Sequence, residues 1–202
     1  MAVKRDYFEV FGLPRKLGID VDELQRRFYE LSRRVHPDFF QSATPAEQGG
    51  SLEWSALINR AYRTLRDLVS RSEYLIQLEE GRETREGDTG IKPQAPKDML
   101  EEMLEIQEAL EEAKADGLDE ASRHRLREER VRLMERRAAE EASLVALARE
   151  WDAVVDPNDD RQKLLERMKQ ALAVRAYLNT VVNDLSDALG EETHTNVSHR
   201  RH

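Results

Sequence analysis

His36, Pro37 and Asp38 put an imidazole and a carboxylate on either side of a proline. Histidine titrates closest to neutral pH, so such a pair has the makings of a general acid and base. That work also needs a pocket that excludes water and orients a substrate. A short loop between two helices offers no evident pocket, and the flanking residues mark no serine or cysteine nucleophile. The other chemistry open to the pair is recognition. Proline fixes its own φ and disfavours helical geometry in the residue before it, so the pair stands on a stiff turn where a helix ends. Alone, the tripeptide is a coincidence found in many loops, and the elements around it decide its meaning.

The helix leading into it opens at Asp20-Val21-Asp22-Glu23, which has the spacing of a capping box. Leu24, Phe28, Leu31 and Val35 follow at intervals of four, three and four. At 100° per residue they fall within about 60° of arc, a narrow core stripe. Arg26, Arg27, Arg33 and Arg34 lie on the far side with Glu30 among them. This basic face, ending in the His/Asp pair, suits docking on an acidic partner, with rim charges steering encounter. The bland alternative is a solvated arginine face that keeps the helix soluble.

Three more elements complete this half. Asp6-Tyr7-Phe8-Glu9 has capping-box spacing and opens a short apolar helix stopped by Gly12 and Pro14. Thr44-Pro45-Ala46-Glu47 starts a helix with proline at its first position, weakened at Gly49-Gly50. It is firm from Leu52, with Trp54, Leu57, Ile58, Ala61, Tyr62 and Leu65 at helical spacing. A short helix about Ser72–Leu78 carries Tyr74, Leu75 and Leu78.

In this order the residues resemble a J-domain: the Asp6-Tyr7-Phe8 helix, the basic helix, His36-Pro37-Asp38 and Ile58-Asn59-Arg60-Ala61-Tyr62-Arg63-Thr64-Leu65. Tyr7-Phe8-Glu9-Val10-Phe11-Gly12-Leu13-Pro14 and Arg71-Ser72-Glu73-Tyr74-Leu75 narrow the likeness to the HscB branch, co-chaperones of iron–sulfur cluster assembly. The resemblance implies docking on a DnaK-type ATPase chaperone, usually HscA, whose ATP hydrolysis the J-domain stimulates. It also implies His36, Pro37 and Asp38 as essential contacts, and Arg26, Arg27, Arg33 and Arg34 as the electrostatic face. Two departures stand out: Phe39 where the family usually has lysine, and Leu68 where a proline commonly follows the third helix.

Residues 81–97 hold three glycines and two prolines without periodicity and read as a linker. Beyond it Asp98 caps a helix that Gly117 closes, a long charged helix runs from about Asp119 to Val155, and a last one from about Asp159 to Leu189. Three helices with short joints suggest an antiparallel bundle. On the first, Met99, Met103, Ile106, Leu110 and Ala113 share a packing face. Leu100 and Leu104 lie roughly 100–140° away from it, beside Glu101, Glu105 and Glu108. Such leucines are a wide helix shoulder or a partner-binding patch. The HscB resemblance implies the second, a face for an IscU-type cluster scaffold formed by Leu100, Leu104, Glu105, Glu108 and, on the last helix, Tyr177. Glu101 replaces an apolar family position.

The fold class expected is all-α: a J-domain over 1–77, a linker over 78–97, a three-helix scaffold-binding bundle over 98–189 and a disordered tail over 190–202. The 202 residues carry a net charge of -9, unevenly spread. Residues 1–80 hold 12 basic and 13 acidic side chains, and the remainder 20 and 28. An acidic surplus argues against general nucleic-acid binding. No apolar run approaches the ~20 residues that cross a bilayer, and Met1–Arg5 has no signal-peptide core. With no cysteine, the chain has no disulfide and no thiolate for zinc or an iron–sulfur cluster. His124 stands alone on a charged helix, and His194, His199 and His202 lie in the tail, so no metal site and no cofactor are expected. A soluble cytoplasmic protein without its own active site is the reading. The alternatives are a general J-protein recruiting other clients to a DnaK-type chaperone and, more distantly, a metal-binding or hydrolytic enzyme built on His36 and Asp38.

Overall fold

The computed structural model describes residues 6–40, 42–82, 99–116, 119–154 and 160–191. Among these the regular structure is helical, with no strand: α1 (Tyr7–Val10), α2 (Val21–Arg34), a 3-10 turn (Pro37–Phe40), α3 (Pro45–Arg66), α4 (Leu68–Glu79), α5 (Leu100–Asp116), α6 (Glu120–Ala153) and α7 (Asp160–Leu189). The all-α expectation holds. The expected caps at Asp98 and Gly117 and the tail beyond Glu191 lie outside the described residues.

The N-terminal signals work as their chemistry requires. Asp6 and Glu9 form a reciprocal capping box at α1, as Thr44 and Glu47 do at α3. Asp20 accepts the N–H groups of Asp22 and Glu23, but the Glu23 carboxylate turns to Arg26 and Arg27 instead of closing the box. α3 begins at Pro45 and passes through Gly49-Gly50, longer than its apolar periodicity indicates, because the box and the proline supply the start. α4 likewise begins earlier than its apolar residues, where the Asp67 carboxylate accepts the Ser70 N–H. Leu68 is its first residue, a place a proline would also fill.

The chain divides into two compact units, residues 1–90 with 145–165, and residues 91–144 with 166–202. In the first, α3 packs against α1, α2, α4 and the 3-10 turn. Its core includes Phe8, Phe11, Leu17, Leu24, Ile58, Leu65 and Leu75, joined by Leu147, Trp151 and Leu164 from much later in the chain. Of the expected α2 stripe, Leu24 is fully buried and Phe28, Leu31 and Val35 are half-buried. Phe28 stacks on Tyr62 of α3 at 4.3 Å between ring centroids. Trp54, placed with the α3 core by its spacing, is instead 39% exposed.

Asp152 ties the late segment in. Its two carboxylate oxygens accept the Leu17 and Gly18 N–H groups, at 2.9 and 2.6 Å. A Cβ on residue 18 would sit 2.9 Å from the Asp152 Oδ2, so a side chain there would displace the carboxylate from this close approach. Arg71, 5% exposed, donates to the Leu65 carbonyl, and Asp67 and Asp152 supply the negative charge facing it. Arg161 lies over the Trp151 ring at 4.8 Å.

The second unit is built on one apolar cluster: Met99, Ile106 and Leu110 of the α5 region, Leu126 and Leu133 of α6, and Val174, Tyr177, Leu178, Val181, Val182, Leu185 and Leu189 of the α7 half. Polar ties surround it. Glu102 receives Arg132 and Arg136, Arg175 reaches Glu141, and Arg137 donates to Asn179. The packing face expected on α5 is present at Met99, Ile106 and Leu110; the side chains of Met103 and Ala113 lie outside the described residues.

Candidate functional site: a basic helix and its exposed turn

The turn after α2 is held by backbone chemistry on both sides. The Val35 N–H closes the helix on the Leu31 carbonyl. The Val35 carbonyl, left over by the helix end, accepts the Ser51 hydroxyl of α3 at 2.7 Å. Ser51 is buried, and it anchors the turn to α3. No periodicity marks it, since a serine at a helix–helix seam has no pattern of its own.

Within the turn the Phe39 N–H donates to the His36 carbonyl at 3.0 Å, closing the 3-10 loop. The Asp38 N–H donates to His36 Nδ1 at 3.3 Å. In the neutral ring that bond requires Nδ1 to be the bare nitrogen, leaving the proton on Nε2. The Asp38 carboxylate stands 3.4 Å from the same Nδ1. Both side chains are open to water, 54% and 71% exposed. That exposure does not give the exclusion of water that acid–base catalysis requires.

The four arginines divide into two roles. Arg27 is spent inside the fold: its guanidinium bonds Glu23 and the carbonyls of Phe11 and Gly12. Gly12 adopts φ +61°, the left-handed geometry that turns its carbonyl into this junction. Arg26 pairs with Glu23 at 2.7 Å yet keeps 69% of its side chain exposed. Arg33 and Arg34 are exposed and form no ion pair with a described residue. The outward basic face is therefore Arg26, Arg33 and Arg34. The hydrogen bond from Arg27, with the charges of Arg26 and Arg27, holds the Glu23 carboxyl below its ordinary range. Sequence reasoning passed over Tyr29, which is 54% exposed on the face of Arg26 and Arg33.

On the second unit, Leu104 is 57% exposed, and Glu101, Glu105 and Glu108 are exposed around it. Leu104 and Glu108 line an open groove with Gln107, Glu111 and, from α7, Asp184 and Asp187. The Leu100 side chain lies outside the described residues. Tyr177 is not part of this surface: it is 8% exposed, inside the apolar cluster. Burial and the nearby Glu102 push its phenol upward, and its hydroxyl has no hydrogen-bond partner among the described residues. No group of histidines and acids able to hold a metal occurs among the described residues, and none of their helices is long and apolar enough to cross a membrane. His124 lies 3.8 Å from Glu128, exposed on α6.

Comparison with known proteins agrees with this architecture. The DnaJ domain family matches residues 6–74. A co-chaperone protein HscB homolog of Azoarcus sp. (strain BH72) is 35% identical over 126 residues, covering 62% of this chain and 69% of that protein. Its counterpart in Bordetella avium (strain 197N) is 32% identical over 168 residues, 83% of this chain and 95% of the relative. Among solved structures, chaperone HscB from Vibrio cholerae superposes with a TM-score of 0.63 at 27% identity, covering 91% of this chain and 99% of that one. Human co-chaperone protein HscB gives 0.57 at 27% identity, covering 92% and 83%. With its DnaJ domain, its helical second unit and relatives matched over most of their length, the chain belongs to the HscB family of J-domain co-chaperones.

Proposed function

We propose that this protein is an adaptor of iron–sulfur cluster assembly in the cytoplasm. It docks on a DnaK/HscA-type chaperone, stimulates ATP hydrolysis there, and delivers an IscU-type scaffold to it. The observation that carries the reading is the His36-Pro37-Asp38 turn, pinned by Ser51 and exposed at the end of a basic helix. Acceleration arises in the partner, because the docked turn favours the partner's hydrolysing conformation. No active site of this chain is needed, and it handles the scaffold without ligating the cluster.

Chaperone binding is assigned to His36, Pro37 and Asp38 with Arg26, Arg33 and Arg34; Arg27 contributes by fixing α2 to the preceding turn. Scaffold binding is assigned to Leu100, Leu104, Glu105 and Glu108. Tyr177 supports them as part of the core that holds α5 and α7 together. Exposed leucine ringed by carboxylates suits a partner surface that is apolar at its centre and basic at its edge.

Single-turnover ATP hydrolysis by a DnaK-type chaperone tests the first half. Stimulation by the intact protein and its loss in His36→Gln are expected; stimulation that survives the substitution sinks the mechanism. For the second half, Leu100→Ala combined with Leu104→Ala is expected to abolish capture of an IscU-type scaffold while ATPase stimulation persists. Scaffold capture unchanged by the double substitution would return the protein to the wider class of J-proteins with other clients.

A further inference from the structure

Phe39 is the most exposed large apolar side chain among the described residues, at 74%. It follows the His/Asp pair directly, where an exposed aromatic ring has no folding role to explain it. Its ring meets the His36 imidazole edge-on, with centroids 6.3 Å apart and planes at 76°. Its N–H donates to the His36 carbonyl. Ring and imidazole thus form one preorganised tip, tied through the Ser51–Val35 bond to α3.

We propose that Phe39 is an apolar anchor of the chaperone interface. The inference rests on the docking reading above and names a feature of the partner: an apolar recess bordered by carboxylates. The carboxylates answer Arg33 and Arg34 in the last turn of α2, with Arg26 further back on the same helix, and the recess receives the phenyl group. Aromatic side chains that are rigid, exposed and surrounded by weaker polar contacts are the usual hot spots of such interfaces. Burying a whole phenyl side chain is enough to change affinity by about 10-fold or more.

The test titrates the full-length protein against a DnaK-type chaperone and measures both Kd and the hydrolysis rate at saturation, for wild type, Phe39→Ala, Phe39→Leu and His36→Gln. Phe39→Ala is expected to raise Kd about 10-fold and leave the saturating rate intact, with Phe39→Leu between the two. The dependence of Kd on salt should keep its slope in Phe39→Ala, since no charge is lost. Circular dichroism and the urea midpoint should match wild type in both variants, because the ring is exposed. An unchanged Kd in Phe39→Ala, alongside loss of stimulation in His36→Gln, overturns the anchor and leaves the docking reading standing. A fall in saturating rate at constant Kd overturns it too, by making Phe39 part of the trigger. Full stimulation by His36→Gln removes the docking reading and this inference with it.

Discussion

Two tyrosines show how one residue type acquires different roles from its surroundings. The Tyr74 hydroxyl accepts the Tyr7 N–H at 2.9 Å, and the two rings stack at 4.3 Å. Burial pushes its phenol up to about 12 from the ordinary 10. Below pH 10 the group is protonated whether the chain is folded or not, so its stabilising effect is complete. Between pH 10 and 12 only the unfolded chain releases the proton, and stability falls as pH rises. Urea midpoints measured at pH 9 and 11 should drop in wild type by more than in Tyr74→Phe. Tyr177 has the opposite problem, a buried hydroxyl with nothing to bond among the described residues. Tyr177→Phe keeps the ring and removes the stranded oxygen, so a gain of about 1 kcal/mol in unfolding free energy is expected. A loss of stability on denaturation would show that the hydroxyl finds a partner.

At the scale of elements, caps and periodicity make most of the first unit legible in the sequence. Asp6, Asp20 and Thr44 sit where their side chains cap, because capping is local and needs only the next three residues. The same locality explains the misses. Trp54 obeys the α3 period yet faces outward, since a 3.6-residue pattern marks a face without saying how wide the neighbouring helix is. Arg27 shares the sequence spacing of a docking residue but is taken by the Phe11 and Gly12 carbonyls, a tertiary contact that spacing does not encode. For Tyr177, expected at the scaffold face from resemblance alone, only packing shows the ring to be core. α3 offers a direct test of how much its cap must support. Gly49 and Gly50 lie within the helix, and a Cβ built at either meets nothing within 4 Å. Gly49→Ala and Gly50→Ala should each stabilise the protein by about 0.5–1 kcal/mol in chemical denaturation, the helix-propensity gain with no steric cost. If either destabilises, the open space around it is needed by the adjoining turn.

For the whole molecule, the match to the DnaJ domain ends at residue 74, while the compact unit containing it also takes in residues 145–165. A sequence read left to right assigns those residues to the bundle, because they close one of its long helices and open the next. Their side chains say otherwise: Leu147, Trp151 and Leu164 are buried, and Asp152 satisfies two backbone N–H groups of the α1–α2 loop. Leu17 itself is fully buried, so its N–H has no easy recourse to water once that carboxylate is gone. Asp152 also offsets the charge of the buried Arg71. Asp152→Ala removes both services at once and is expected to cost about 2–4 kcal/mol of stability. The loss should be local, so hydrogen exchange of the Leu17 and Gly18 amides should quicken more than that of amides in the Leu178 and Leu185 region of α7. A chain cut after residue 82 lacks the whole late segment and should unfold at lower urea than the intact protein by a wider margin than Asp152→Ala. Equal stability of the cut and intact chains would mean that the J-domain residues are self-sufficient and that the late segment only rests upon them.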